Sequence, residues 1–174
     1  VASLTSSMEP GKASSLARKW LESRMSSSGG TNIFSASWNP IEKSQGAGVR
    51  KRAVFFASSF DEFLAFGPMW TIDEWSSQFE AFDLIMSVLE KRGVDLVLRL
   101  HPNLASKSRR YFQREVREIF ALQKKHPSLK IHWHNSPVNS YQLVAESDYV
   151  IVERSTIGLE ASLMEKPIWA TQAT

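Results

Sequence analysis

The chain has 174 residues, 43% of them hydrophobic and 22% charged, which predicts one globular domain and excludes wholesale disorder. A net charge of +3 is too small an excess to indicate nucleic-acid binding. The absence of Cys excludes disulfides, thiolate metal sites and a cysteine nucleophile, and it favours a reducing compartment, for which we take the cytoplasm. No apolar run reaches the ~18 residues of a membrane-spanning helix.

Residues 1–52 differ in composition and hydrophobic patterning from the rest of the chain. They contain Ser and Gly clusters and show no strand periodicity, and one short helix is predicted over residues 15–25. We therefore expect an irregular N-terminal arm over residues 1–52 and a folded domain over residues 53–174. Because the first residue is Val1 rather than Met, we also expect a fragment of a longer protein.

From Ala53 onward, short apolar runs alternate with longer amphipathic stretches, which is typical of strand–helix units and a parallel sheet. The predicted fold class is α/β, a Rossmann-like parallel sheet with flanking helices. Such a domain usually continues with a helix after its last strand, so we expect a truncation at the C-terminus. The predicted strands cover residues 53–57, 94–100, 130–133, 149–153 and 168–171.

Four helices are predicted between these strands. The clearest spans about residues 73–91, where five large apolar side chains recur at steps of four and three and so share one face. The others span residues 107–125, 139–146 and 157–165. The five residues of the first helical face are Trp75, Phe79, Phe82, Met86 and Leu89.

The loops after the predicted strands carry the candidate functional residues. Right-handed crossovers bring these loops to one edge of a parallel sheet, where ligands of such folds bind. The loop sequences are small and polar, and we expect the site at this edge. They read Ser58-Ser59-Phe60-Asp61-Glu62, His101-Pro102-Asn103, His134-Asn135-Ser136-Pro137 and Arg154-Ser155-Thr156-Ile157-Gly158.

The loop after the fourth predicted strand is a candidate anion site. Ser155 and Thr156 stand at a helix start with Gly158, where hydroxyls and backbone N–H groups could face a phosphate. The simpler alternative is that one hydroxyl caps the helix. Glu160 lies past the capping-box position, so it could accept hydrogen bonds from a ribose diol or be an ordinary solvated carboxylate. Neither a P-loop nor G-x-G-x-x-G occurs at a strand end, which disfavours P-loop and NAD-type chemistry.

Arg99 and His101 leave the second predicted strand two residues apart. We expect them on one side of the strand, where they could stabilise phosphate oxygens or a leaving group. The alternative for His101 is a structural hydrogen bond at the strand end. His132 and His134 are also two residues apart, but no third ligand of suitable spacing accompanies them, so we expect no metal site.

The helix over residues 107–125 carries seven Lys or Arg and two Glu. This excess could meet nucleic acid, an anionic membrane surface or an acidic partner, or it could form a solvated face. Phe112 and Phe120 fall on its apolar stripe, so it lacks the exposed aromatics of a single-strand binder. Trp20 and Trp38 lie in the arm, where large aromatics tend to pack on a neighbour.

The loop motifs at 58–62, 99–103, 139–141 and 155–161, closing with Lys166-Pro167, together resemble the bacterial capsule polysaccharide biosynthesis proteins, which are GT-B glycosyltransferases. The resemblance spans about residues 15–174 and lies in the order and spacing of the motifs. It implies that the chain is the C-terminal, donor-nucleotide-binding half of such an enzyme. It also implies that Arg99 and His101 are the catalytic residues. The donor-binding residues that it implies are Ser58, Ser59, Ser155, Thr156, Gly158 and Glu160.

The resemblance implies a function in the transfer of sugar from a CMP- or UDP-linked donor to a polysaccharide or lipid-linked acceptor, in the cytoplasm or peripheral to the inner membrane. No metal, other cofactor or nucleic acid is expected. The family's N-terminal Rossmann domain is missing, so we expect this piece alone to be inactive. The enzymatic alternatives are a nucleotide-sugar 2-epimerase and a CDP-alditol phosphotransferase. A non-catalytic scaffold that docks partners through the basic helix and exposed Trp residues also stays open.

Overall fold

The computed structural model describes residues 10–25, 50–59, 75 and 77–171. The five strands are β1 (Arg52–Phe56), β2 (Asp95–Arg99), β3 (Lys130–His132), β4 (Tyr149–Val152) and β5 (Ile168–Ala170). The α-helices in this part of the chain are α1 (Pro10–Met25), α2 (Gln78–Lys91), α3 (Arg109–Lys125), α4 (Ser140–Glu146) and α5 (Ile157–Leu163). A 3-10 helix, Pro102–Ser106, lies between β2 and α3.

All five strands are parallel and form one sheet in the order β3-β2-β1-β4-β5, which confirms the predicted Rossmann-like α/β fold. The central strands β1, β2 and β4 are buried on both faces over almost their whole length. Strands covered on both faces need apolar residues at every position, which is the reason for their continuous apolar runs.

Helices cover both faces of the sheet in two layers. In the first layer, α2 and α3 pack against β1 and β2, and Phe82 of α2 meets Phe55 of β1 edge to face, with ring centroids 5.1 Å apart. In the second layer, α4 and α5 pack against the other face of β1 and β4. Fully burying a Phe or Leu side chain contributes about 1.5–3 kcal/mol, so these two layers supply most of the driving force for folding.

The N-terminal helix α1 packs in the second layer. It begins at Pro10, earlier than the predicted start at residue 15, and Leu21 is buried in the same apolar cluster as Val54 of β1. Residues 10–25 of the predicted arm are therefore a helix held against the domain. The Ser and Gly clusters of the arm and Trp38 lie outside the described residues.

Two aromatic residues differ from the sequence prediction. Trp75 is not part of α2, because the helix begins at Gln78 and Ser77 is its N-cap; the Trp75 indole N–H instead donates to the carbonyl oxygen of Thr171 at 3.2 Å. Phe120 is 55% exposed rather than on the apolar stripe, and its ring lies 5.8 Å from that of Trp133. Each residue advances a helix by about 100°, so the position after the buried Ile119 faces outward.

A buried imidazole joins α2 to the end of α3. Nδ1 of His126 lies 2.9 Å from Glu90 Oε2, and its Nε2 lies 2.8 Å from Asp83 Oδ1. Hydrogen bonding by the Lys125 ammonium holds the pKa of the Asp83 carboxyl below its usual value. The Ser128 hydroxyl does the same for the pKa of Glu90. The cluster connects the two helices of the first layer by charge-assisted hydrogen bonds.

We expect Asp83→Asn to weaken this connection. The pKa of Asp83 is lower in the folded state than in the unfolded chain, so its stabilisation is fully present above about pH 4 and is lost as the pH falls through the folded pKa. At neutral pH the variant should lose about 1 kcal/mol of unfolding free energy. Below about pH 4, the free energy of unfolding should fall more steeply with decreasing pH for the wild type than for the variant.

Denaturant titrations over a pH series measure both effects. Asp95→Asn is the control, because its pair with Arg50 is largely exposed and contributes little. Parallel pH profiles for the wild type and Asp83→Asn would contradict a stabilising role for the contacts of Asp83 with Lys125 and His126.

Candidate functional site

The strand order places the ligand crevice expected of an open α/β sheet at the carboxyl ends of β1 and β4. The loop after β1 leads to the first helical layer, whereas the loop after β4 leads to α5 in the second layer. The two loops therefore diverge from neighbouring strands, which is the geometry of ligand crevices in open α/β sheets. Ser58 and Ser59 flank the crevice on one side, and residues 153–156 flank it on the other.

His101 is held at the end of β2 by two contacts to one ring nitrogen. Its Nδ1 accepts a hydrogen bond from the backbone N–H of Asn103 at 3.2 Å, and the Ser59 hydroxyl lies 3.2 Å from the same nitrogen. Because Nδ1 is an acceptor, the neutral ring carries its proton on Nε2. His101 thus makes the structural hydrogen bond that we gave as its alternative role, and that bond also sets which nitrogen is the donor.

Ser58 connects the crevice loops and is buried. Its N–H donates to Gln78 Oε1 at 2.9 Å, and its carbonyl oxygen accepts from Gln78 Nε2 at 3.1 Å. Its hydroxyl donates to the carbonyl oxygen of Glu153. Gln78 also donates to Glu115 Oε2 at 3.3 Å, and burial raises the pKa of that carboxyl. These hydrogen bonds hold the ends of β1 and β4 in one arrangement.

Gln78 and Glu115 were not identified from the sequence as site residues. Glu115 lies one helical turn before Ile119, on the buried side of α3, and both it and Gln78 are at most 5% exposed. A carboxylate on an otherwise apolar stripe was the available signal, since buried carboxylates require polar partners. No local sequence pattern indicates that the partner of Glu115 is Gln78, the first residue of α2.

The hydroxyls of the loop after β4 are not used for helix capping. Thr156 is the N-cap residue of α5, but its side chain makes no capping hydrogen bond, so the capping alternative is wrong for Thr156. Within the described residues, the Ser155 and Thr156 hydroxyls form no hydrogen bond. Arg154 has a φ of 47°, in the left-handed region that non-glycine residues rarely adopt, and it turns the chain between β4 and α5.

Gly158 and Glu160 make contacts inside the domain. A Cβ on Gly158 would lie 3.1 Å from Val152 Cγ2, so the glycine allows α5 to approach β4 closely. The Glu160 carboxylate is 3% exposed and accepts a hydrogen bond from Arg24 Nε of α1 at 2.5 Å. It is therefore not a solvated carboxylate, and a ribose diol would have to compete with Arg24 for it.

Arg99 is a buried cation. It is 3% exposed, and its guanidinium donates to the carbonyl oxygen of Trp133. Within the described residues, its Nε has no hydrogen-bond partner and no carboxylate pairs with it. Burial lowers the pKa of Arg99, and burial together with the Arg99 charge lowers the pKa of His132 on the neighbouring strand. A buried charge without a counter-ion is costly, often by several kcal/mol.

The predicted site residues fall into two groups. Four of them lie in the loops around the crevice: Ser59, His101, Ser155 and Thr156. Ser59 contacts His101, and within the described residues the hydroxyls of Ser155 and Thr156 form no hydrogen bond. The other four are engaged in the interior of the domain: Ser58, Arg99, Gly158 and Glu160.

Comparison with solved structures shows similarity to a known transferase. No family model and no curated protein matches the chain. KpsC of Thermosulfurimonas dismutans, a β-Kdo 2,4-transferase, is similar at a TM-score of 0.54 and 15% identity, over 94% of this chain and 46% of that one. The chain thus spans about half of that protein, and the likeness shows a shared Rossmann-like fold. None of the described helices is long and apolar enough to cross a membrane.

We expect Gln78→Ala to destabilise the protein, because Gln78 holds the loop after β1 in place. The variant leaves the buried N–H and carbonyl groups of Ser58 without partners, so the free energy of unfolding should fall by about 2 kcal/mol. The exposed Gln113→Ala on α3 is the control, with a change of less than about 0.5 kcal/mol. Denaturant titration gives both values, and equal stabilities of the two variants would contradict a positioning role for Gln78.

Proposed function

We propose that the chain is the donor-nucleotide-binding half of a glycosyltransferase that builds a capsule or other surface polysaccharide. Its fold is similar to part of a β-Kdo 2,4-transferase, and its crevice lies where open α/β sheets bind ligands. The nucleotide sugar would lie between the loop of Ser58 and Ser59 and the loop of Ser155 and Thr156. The hydroxyls of Ser155 and Thr156 suit phosphate oxygens.

The observation that carries this proposal is the burial of Arg99 without a carboxylate partner among the described residues. Arg99 ends β2 at the carboxyl edge of the sheet, and its backbone is in register with Phe56 at the end of β1. An arginine binds phosphate through paired N–H donors, so a donor phosphate would supply the missing counter-charge. The free-energy cost of burying the Arg99 charge would then be offset when the nucleotide binds.

The chemistry assigned to this half is stabilisation of the leaving group. In sugar transfer, the bond between the anomeric carbon and the nucleotide phosphate oxygen breaks, and negative charge develops on that phosphate. Arg99 and the Nε2–H of His101 are the donors for this charge, and the hydrogen bond from Asn103 to Nδ1 keeps Nε2 as the protonated nitrogen. The acceptor and the base that takes its proton are assigned to the other half of the enzyme.

Arg99→Met tests the proposal by two effects of opposite sign. Nucleotide affinity should fall by at least about tenfold, because a charge-assisted hydrogen bond is lost. The melting temperature of the ligand-free variant should stay the same or rise, because an uncompensated buried charge is removed. Arg92→Met, at the exposed C-cap of α2 near the opposite edge of the sheet, is the control and should retain full affinity.

The measurement is calorimetric titration with CMP, CDP, UMP, UDP and GDP. His101→Ala and Ser155→Ala should also weaken binding, whereas Ser162→Ala, in the last turn of α5, should not. Selective cytidine binding would favour a CMP-sugar transferase or a CDP-alditol phosphotransferase, and selective uridine binding a UDP-sugar transferase or a 2-epimerase.

Two results would contradict the proposal. The first is an Arg99→Met variant that is less stable than the wild type and binds nucleotide equally well, which would make Arg99 a structural residue. The second is a folded wild type that binds none of the five nucleotides, both as this chain and within the full-length protein. That second result would favour the non-catalytic scaffold.

A further inference from the structure

His132 and Arg99 lie side by side on neighbouring strands of the sheet. Arg99 of β2 is in register with His132 of β3, and adjacent strands of a sheet are about 4.8 Å apart. Side chains alternate between the two faces of a strand, and Val97, two residues before Arg99, belongs to the apolar cluster of the second layer. Ile131 and Trp133, on either side of His132, pack against the first layer. Arg99 and His132 therefore both lie on the second-layer side of the sheet.

The Arg99 guanidinium extends toward β3. It donates to the carbonyl oxygen of Trp133, the residue after His132. No carboxylate in the described part of the chain pairs with Arg99, so its charge acts on the neighbouring imidazole without a counter-charge of its own. The His132 ring is half-buried, and its Nδ1 lies 3.5 Å from the Ser136 hydroxyl. A buried cation and a titratable base thus form one cluster.

The charges around the His132 ring are mostly positive. Among the described residues, four charged side chains act on it: Arg99 of β2, Arg52 of β1, Lys130 of β3 and Glu146 of α4. Glu146 is the one carboxylate of this set, and it is paired with Arg52 at 3.2 Å. Burial first, and then the Arg99 charge, hold the pKa of His132 below its usual value. The ring of the ligand-free protein is therefore uncharged at neutral pH.

A phosphate bound at Arg99 would change this balance of charge. It would neutralise the guanidinium and add negative charge, so the cationic form of His132 would become more favourable than it is in the ligand-free protein. Such coupling is reciprocal, because a proton that is taken up with a ligand strengthens the binding of that ligand by the same factor.

We propose that protonation of His132 is coupled to phosphate binding at Arg99, so that the site takes up a proton together with its nucleotide. The inference rests on the proposed function, and His132 is a positioning residue that acts through the charges of Arg99 and the ligand. Nucleotide affinity is lowest where His132 is neutral in both the free and the bound protein. It rises as the pH falls from the pKa of His132 in the bound protein to the lower pKa in the free protein.

Calorimetric titration of the whole chain with UDP-glucose and CDP-glucose measures this coupling. Both ligands lack the phosphate proton that titrates near pH 6 in CMP and UDP, so their charge is constant over the range used. From about pH 8 to about pH 5.5, the wild-type affinity should rise by at least about threefold. The measured heat should also vary with the ionisation enthalpy of the buffer, because a proton is taken up.

His132→Gln removes the titrating ring. The variant should bind as tightly as the wild type at about pH 8, and the threefold rise at lower pH should be lost. A purely structural role for His132 would instead change the affinity at every pH. His134→Gln is the matched control and should keep the wild-type pH profile, because the His134 ring meets Phe112 of α3 in the first layer, on the other face of the sheet.

NMR titration of the histidine rings tests the same pair without a nucleotide. The His132 signals are assigned by their absence in His132→Gln. Arg99→Met should raise the pKa of His132, because it removes the neighbouring charge, whereas Arg92→Met at the exposed C-cap of α2 should not. Sulfate, which does not titrate in this range, should raise the pKa of His132 in the wild type but not in Arg99→Met. Potassium chloride at equal ionic strength is the control.

Two outcomes would overturn the inference. One is nucleotide affinity with the same pH profile in the wild type and His132→Gln, which would leave the proposed function in place. The other is an equal pKa of His132 in the wild type and Arg99→Met. Sulfate that raises the pKa of His132 through Arg99, without binding of any of the nucleotides or nucleotide sugars in this chain or in the full-length protein, would support the coupling and contradict the proposed function.

Discussion

The parallel pairing of β1 with β4 organises the whole domain, because it joins strands whose following helices lie on opposite faces of the sheet. Four residues of each strand are in register, from Ala53 opposite Tyr149 to Phe56 opposite Val152. The loops that follow must then diverge, which is the arrangement that forms ligand crevices in open α/β sheets. The hydrogen bonds from Gln78 to Ser58 and from Ser58 to Glu153 keep the two loop ends together beneath that crevice.

The charges around this sheet are compensated very unevenly. Glu160 is buried and paired with Arg24, and the carboxylates of Asp83 and Glu90 meet the ring of His126. Arg99 is equally buried, yet no carboxylate of the described residues meets it. Removing an ion from water costs several kcal/mol unless a partner compensates it, and this cost is the reason that we propose a nucleotide phosphate as the partner of Arg99.

The helix α1 extends the domain beyond the minimal sheet and its crossovers. Leu21 enters the apolar cluster of the second layer, and Arg24 bonds to both Tyr141 and Glu160 at the start of α4 and α5. The helix α3, in contrast, belongs to the first layer, on the other side of the sheet, and carries exposed cations on its outward side. The two helical layers therefore differ in chemistry, with an internal ion pair in the second and exposed cations in the first.

The fold class, the order of the elements and the edge of the sheet at which polar loops gather follow from the residue pattern along the chain. Apolar residues repeat along the chain with the period of a strand or a helix, and that period follows directly from backbone geometry. The helical example is the stripe of Phe79, Phe82, Met86 and Leu89. The hydrogen-bond partners of the polar groups, in contrast, depend on the folded arrangement. Arg24 and Glu160 are 136 residues apart, and Gln78 reaches Ser58 across 20 residues. The burial of Arg99 without a carboxylate was decided in the same way, because hydrogen bonds and counter-ions depend on three-dimensional proximity, which spacing along the chain does not encode.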